Sequence, residues 1–308
     1  MEKISVIIPS YNHEGFLSQA IESVVSQDYE GHIEVIVVDD ASTDGSSEAL
    51  KAYEHFRRPS REVRIVIKKK NKGINDSIET GLELSSGGFV QILASDDVLC
   101  QGKLSLQAKI LSQSSYDAIY SGAYLLKEDG GVEEVVLKEF QNALQQRSGW
   151  HFVSTRDWGC PLTQSALFRR GALLDLMNIR RRFRSDDWAM LIALTGRNCV
   201  TYVDQPVFLY RQHKSNTYKR YNYTLPMRMD VALNLVEPRW MGEAISNILC
   251  SHADYLYVDG RFGEAWRVLA CSLIFKTTRF NLKLCMRLLG ADWLFNHVRR
   301  GSQRLFRC

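Results

Sequence analysis

Three pairs of adjacent aspartates mark where this chain could do chemistry: Asp39-Asp40, Asp96-Asp97 and Asp186-Asp187. The first two each close an apolar run, Ile33 to Val38 and Phe89 to Leu93. Side-by-side carboxylates at the end of a buried strand repel each other unless a cation or a positively charged ligand lies between them. At Asp96-Asp97 a hard divalent ion, Mg2+ or Mn2+, with diphosphate oxygens completing its shell, meets that need. The same two acids could instead cap the helix that begins near Lys103, or sit in a solvated turn. The third pair opens a helix, where Ser185 and Asp186 suit an N-cap. A carboxylate at that place can also take the proton of an alcohol that is about to attack. Both readings are compatible: one acid caps and the other reaches into a cleft.

Other residues add to this set. Tyr11 can stack on a nucleobase, and Asp40 can accept a hydrogen bond from a base N–H. The basic loop around Lys70 and Lys72 can offset phosphate charge. Each also has a plain structural reading: a packed loop aromatic, a cap, a solvated turn. Their weight comes from convergence on one sheet edge. Neither G-x-G-x-x-G nor G-x-x-x-x-G-K-[ST] occurs, so a dinucleotide fold or a P-loop is not expected.

The elements that must position these residues alternate. Ile4 to Pro9, Ile33 to Val38, Val63 to Ile67 and Phe89 to Leu93 read as buried strands. Helices are predicted over 16–27, from the Ala41–Gly45 turn to about Phe56, and over 74–84. Such alternation means a parallel sheet with right-handed crossovers, whose carboxyl-terminal edge faces the ligand crevice. Beyond it, a helix over 103–112, strands over 117–127 and 132–137, an irregular stretch over 150–161, a strand over 164–169 and helices over 170–177 and 186–194 are expected. Two short strands follow, 200–203 and 207–210.

The 308 residues suffice for one large α/β domain with an appendage. The net charge of +4 is too small to argue for nucleic acid, and none is expected as a partner. The seven cysteines are odd in number and lack C-x-x-C spacing, and no apolar leader precedes them. A reducing, cytoplasmic setting is the expectation.

The segments Val6-Ile7-Ile8-Pro9-Ser10-Tyr11-Asn12, Glu34 to Gly45 and Ser95-Asp96-Asp97 carry a family likeness. The chain resembles a family 2 glycosyltransferase of the inverting, bacterial polysaccharide or lipopolysaccharide type, over roughly residues 3 to 213. The resemblance implies an α/β GT-A fold, a Rossmann-like, mostly parallel nucleotide-binding sheet, with a C-terminal helical extension. It implies a nucleotide-diphosphate sugar donor, a UDP-sugar above all, and a divalent metal, Mn2+ or Mg2+. Pro9 and Tyr11 would border the nucleoside, Asp40 would pair with the base, and Lys72 would lie near phosphate. Asp96 would approach the ribose or a metal-bound water, and Asp97 would ligate the metal. Many members carry an acid where this chain has Ala94, which bears on how ribose and sugar are held. Asp187 maps to the general base, with Asp186 and Trp188 beside it and Asp39 as a further candidate. Tyr210-Arg211-Gln212-His213 resembles a Tyr-Arg-x-His segment in which Arg211 is a candidate and His213 would ligate the metal or donate to the diphosphate.

The sequence divides into a catalytic domain over 1–217 and a helical extension over 218–308. A polar connector is expected over 218–225, then helices over 227–236, 242–258 and 262–275. From Lys276 to Cys308 there are eight basic residues against one acid, Asp292, interleaved with Phe280, Leu284, Trp293 and Phe295. That composition suits an interfacial helix on an anionic membrane, and equally a helix packed on the domain with a solvated basic face. The expectation is therefore a cytoplasmic enzyme, peripheral on the inner membrane face, whose acceptor is a lipid-linked glycan or surface polysaccharide. Two rivals are transfer to a protein or small molecule and a non-catalytic nucleotide-sugar-binding partner.

Overall fold

The computed structural model describes residues 1–156, 160–183, 186–213, 221–276 and 284–285, apart from the side chains at 180, 186 and 221–223. The chain forms two compact units: Met1–Trp150 with Gly159–Asn216, and His151–Trp158 with Thr217–Cys308.

In the first unit, β1 (Ile4–Ser10) and β2 (Ile33–Asp39) are buried at every residue. β3 (Arg57–Arg58) and β4 (Arg61–Ile67) lead to β5 (Phe89–Ile92) and the short β6 (Val98–Leu99). β7 (Ala118–Leu126), β8 (Val132–Val135), β9 (Leu167–Arg169) and β10 (Val200–Arg211) complete one sheet. Its order is β3-β4-β2-β1-β5-β9-β7-β10-β6, with β8 on the flank of β7. The long registers are parallel: β1 with β2, β1 with β5, β2 with β4 and β7 with β10. Short antiparallel pairings stitch β9 between β5 and β7, and β6 onto β10.

Helices α1 (Glu14–Val25), α2 (Ser46–Leu50), α3 (Ile74–Leu84) and α4 (Lys103–Ser112) follow the strands as crossovers. α5 (Lys138–Gln145) comes next, then α6 (Gly149–Thr155), which belongs to the second unit from His151 onward, and then α7 (Arg170–Arg182) and α8 (Asp186–Gly196) of the first. α1 buries Leu17, Ala20, Ile21, Val24 and Val25, which share one face by helical spacing. They pack with Ile4, Val6, Ile8, Val35 and Val37 into one core. Burial of such side chains contributes about 1.5–3 kcal/mol each.

Four expectations need correction. The stretch over 150–161 is not wholly irregular, since α6 runs to Thr155. Gly, Trp, His, Val and Thr are weak helix formers, and packing overrides them: Val153 is fully buried. The two short strands over 200–210 are one strand, β10, with register shifts on either side of Pro206. Proline has no N–H for the ladder, so the pairing bulges there without ending. The strand expected from Gln164 starts at Leu167, behind a 3-10 turn over Thr163–Ser165. The connector over 218–225 is helical from Tyr221 onward: α9 (Tyr221–Leu235) continues through Pro226 in its interior, where the proline removes one backbone bond.

The second unit holds α9, α10 (Pro238–Val258) and α11 (Phe262–Phe275). Pro238 starts α10 at the position where its missing N–H costs nothing. Cys250, Ala253, Leu269 and Leu284 form a small core. Among the described residues, no helix is long and apolar enough to cross a membrane. Apart from Lys276, Leu284 and Cys285, the basic tail lies outside the described residues.

Candidate active site

The loop after β1 and the loop after β2 are laced together. Asn12 Oδ1 accepts from the Thr43 amide at 2.8 Å, and Ser42 Oγ accepts from the Asn12 amide at 2.9 Å. The Glu14 and Gly45 amides donate across the same gap to Asp44 and Glu14 carboxylates, each at 3.1 Å. Asn12 and Ala41 hold left-handed backbone, with φ of 55° and 60°, a conformation kept only where surroundings over-determine it. This lacing sets out Tyr11, 43% exposed at the rim, and His13. Asp39 accepts from the Ser42 amide and hydroxyl, so it caps the turn after β2.

Asp40 is buried, and its carboxylate accepts from the Lys72 amide at 3.1 Å, the Gly73 amide at 2.6 Å and Lys68 Nζ at 3.2 Å. Most of its lone pairs are used by the loop over 68–73. The Lys72 side chain is 62% exposed, 4.0 Å from Asp76. Tyr11 and Asp40 therefore lie on the same edge, but Asp40 meets loop amides.

The second acid pair is tied to the end of β10. β6, which follows Asp97 directly, pairs with β10 through Phe208 and Leu209. That pairing brings the Arg211 amide to Asp97 Oδ1 at 2.9 Å and Arg211 Nε to the Asp96 carbonyl at 3.0 Å. The Arg211 guanidinium lies 4.9 Å over the Phe16 ring, and His213 stacks on the same ring with centroids 5.4 Å apart. His213 Nε2 meets Asp96 Oδ2 at 2.8 Å. The histidine thus reaches Asp96, whereas Asp97 turns to backbone. His13 comes in from the other side, its Nδ1 at 2.8 Å from Ser95 Oγ.

Ligand atoms of His13, Asp96 and His213 all lie within 4.8 Å of one another. Two imidazoles and a carboxylate are a donor set that a divalent transition ion, Mn2+ among them, accepts more readily than Mg2+ does. Asp97 supports the same reading. Burial first, and the neighbouring Asp96 charge second, push its carboxyl well above the usual range, and its Oδ2 is buried without a hydrogen-bond partner. A cation beside the pair would relieve both costs. The residues present fit a divalent metal. His13 and Phe16 were not singled out from the sequence. The signal that could have found His13 is its place in the β1 loop, which the strand order β2-β1-β5 sets beside Ser95.

Asp187, at the start of α8, accepts from Thr163 Oγ1 at 2.8 Å on its Oδ1. It lines a cavity of about 70 Å3 with Pro9, Ala94, Thr163 and Gln164, walled by Ile74, Ile78 and Ile92. The acid of α8 and the residue two before the acid pair thus face one space. Trp188, 7% exposed, packs into the core. The Asp186 side chain lies outside the described residues.

The profile of Glycosyl transferase family 2 matches residues 5–176, more than half of the chain, and the chain belongs to this family. It is similar to the glycosyltransferase GlyG of Streptococcus pneumoniae, with 24% identity over 242 residues, 75% of this chain and 77% of that one. It is similar also to the putative teichuronic acid biosynthesis glycosyltransferase TuaG of Bacillus subtilis, 29% identical over 61% of this chain and 71% of that one. The match to an uncharacterized glycosyltransferase of Rickettsia bellii, 28% identical over 70% of this chain, spans only 29% of that protein. Among solved structures, S. aureus TarS residues 1–349 with UDP-GlcNAc superposes with a TM-score of 0.61 at 17% identity, covering 94% of this chain and 88% of that one. The mannosyltransferase PcManGT of Pyrobaculum calidifontis, with GDP-Man and Mn2+, superposes at 0.60 with 18% identity, covering 94% and 80%. These two likenesses are of fold.

Proposed function

We propose that the chain transfers a sugar from a nucleotide-diphosphate donor to an acceptor hydroxyl, with inversion and with a divalent metal. The observation that carries this reading is the shared cavity of Asp187, Pro9 and Ala94, set on the sheet edge that also bears the His13, Asp96 and His213 cluster. A base and a cation site on one edge are what this transfer requires.

Asp96, Asp97, His13 and His213 would hold the metal, Mn2+ in preference to Mg2+ because two of the donors are imidazoles. When bound, the ion neutralises charge on the departing nucleoside diphosphate. Tyr11 and Pro9 border the nucleoside. Asp40 serves that side by anchoring the 68–73 loop, whose Lys70 and Lys72 face phosphate. Asp187 takes the proton of the acceptor hydroxyl as its oxygen bonds to the anomeric carbon. The bond from that carbon to the diphosphate breaks on the opposite face, and the proton ends on the carboxylate. Thr163, donating to one carboxylate oxygen, keeps Asp187 oriented for this. A solved neighbour holds UDP-GlcNAc and another GDP-Man, and both donors belong in the first screen. The similarity to TuaG and the basic tail support a glycan acceptor at an anionic membrane face.

Thermal shift and calorimetry with UDP-GlcNAc and GDP-mannose, each with Mn2+, Mg2+ or chelator, test the reading. The expected result is donor binding that needs the ion, strongest with Mn2+. Donor affinity that survives chelation unchanged would rule out the metal role.

A further inference from the structure

Among the described residues of the first unit, Lys103 is the most deeply buried cation, 1% exposed at the start of α4. No carboxylate among the described residues partners it. Its Nζ donates instead to two amide oxygens, Gln91 Oε1 on β5 and Gln107 Oε1 one helical turn along. Burial pushes its ammonium well below the ordinary lysine range. Such a group is costly to keep unless it arranges something.

What it arranges follows from donor chemistry. Nζ is the donor to both glutamines, and each turns its amide oxygen to it. Their NH2 groups are then forced to the far side. Gln91 Nε2 donates to the Gln164 carbonyl at 3.0 Å. Gln107 Nε2 donates to the Ser165 carbonyl at 2.7 Å and to Ser121 Oγ at 2.9 Å. The Ser121 amide in turn donates to Ser165 Oγ at 3.3 Å. Two glutamines therefore clamp consecutive carbonyls of the 3-10 turn over Thr163–Ser165. The first residue of that turn is Thr163, whose hydroxyl bonds Asp187.

We propose that Lys103 is a positioning residue: by setting the orientation of the Gln91 and Gln107 amides it holds the Thr163–Ser165 turn, and through Thr163 the carboxylate of Asp187. The role for catalysis rests on Asp187 being the base. Without Nζ, two buried amide oxygens lose their donor, and either amide can turn over and release its carbonyl.

Three variants test this. Lys103→Met keeps the volume and removes the donor. Gln107→Glu keeps an acceptor for Nζ, and adds a charge partner for it, but cannot donate to Ser165. Thr163→Val cuts the last link. In hydrogen exchange, amides of Ser165 and Ala166 are expected to exchange at least about tenfold faster in the first two, with β1 and β2 unchanged. In turnover of the donor that the screen above identifies, kcat is expected to fall roughly ten- to a hundredfold with KM for that donor unmoved. The loss in Lys103→Met and that in Thr163→Val should be non-additive in the double variant. Unchanged exchange over 163–166 in folded Gln107→Glu overturns the proposal. So do protection lost equally across β1 and β2 in both variants, and additive effects on kcat. Asp187→Asn separates the two readings. If it keeps full activity, the base assignment fails; if it is inactive while Lys103→Met matches the wild type, the positioning role fails.

Discussion

At the scale of single residues, the site is an argument about charge. Asp96 and Asp97 sit side by side, and Asp97 is 1% exposed with one oxygen unpartnered. Replacing it by Asn removes a buried like-charge repulsion at the expense of a cation site. Asp97→Asn is therefore expected to raise the Tm of the metal-free protein. The Mn2+-induced rise in Tm should shrink in the same variant. Calorimetric melts with Mn2+ and with chelator check both halves; a Tm that falls without metal contradicts the charge argument. Asp187 has the opposite character, exposed and bonded by Thr163. Asp187→Asn keeps that acceptor but cannot take a proton. Its kcat should drop about 10²- to 10⁴-fold with donor affinity unchanged by calorimetry.

At the scale of elements, the site depends on a few loops held by backbone contacts. β10 carries Arg211 and His213 to the acid pair because the strand does not end at Pro206. Gly73 is the residue just before α3, and its φ of +92° is in the left-handed region. A Cβ added there would meet nothing within 4 Å, so the cost of Gly73→Ala is one of backbone conformation alone, about 1–2 kcal/mol. Urea unfolding measures it. Because the Gly73 amide donates to Asp40 at 2.6 Å, the variant should also loosen the 68–73 loop, seen as faster exchange of the Lys72 and Gly73 amides. Unaltered exchange there would show that Asp40 does not anchor the loop.

At the scale of the whole molecule, one buried carboxylate joins the strands that build the nucleotide edge. Glu34 on β2 accepts from Ser5 Oγ at 2.5 Å, Lys3 Nζ at 2.8 Å, the Ser86 amide at 2.6 Å and the Gly87 amide at 3.1 Å. It thus links β1, β2 and the turn before β5. Burial would raise its carboxyl, but the bonds from Lys3, Ser5 and Ser86 outweigh that and hold it at about 2. A folded value below the unfolded one, about 4.3, means stability that is present above the unfolded value. It is lost as pH falls through the folded value of about 2. Discounted for partial solvent access, the contribution at neutral pH is about 2 kcal/mol. Glu34→Gln should be less stable than wild type by that amount at pH 7, with the gap closing as pH falls below 4. Denaturant midpoints across that range check the sign.

The parallel half of the sheet was legible in the chain because β1, β2 and β5 are apolar almost throughout, and only strands buried on both faces tolerate that. Helices α1, α4 and α11 were legible by period, and the acid pairs by their place after such runs. The sequence alone also determined the family, through long motifs around Pro9 and Asp39-Asp40. Where propensity and packing disagree, the chain was silent: α6 forms from weak helix formers, and β10 continues past a proline. Tertiary structure decided the partners of each polar group. Only strand order sets His13 beside Ser95, only the β6–β10 pairing carries His213 to Asp96, and only folding brings Lys103 between two glutamines. A hydrogen bond between residues about a hundred positions apart leaves no local period, since it depends on how strands are ordered and not on which residues lie next to each other.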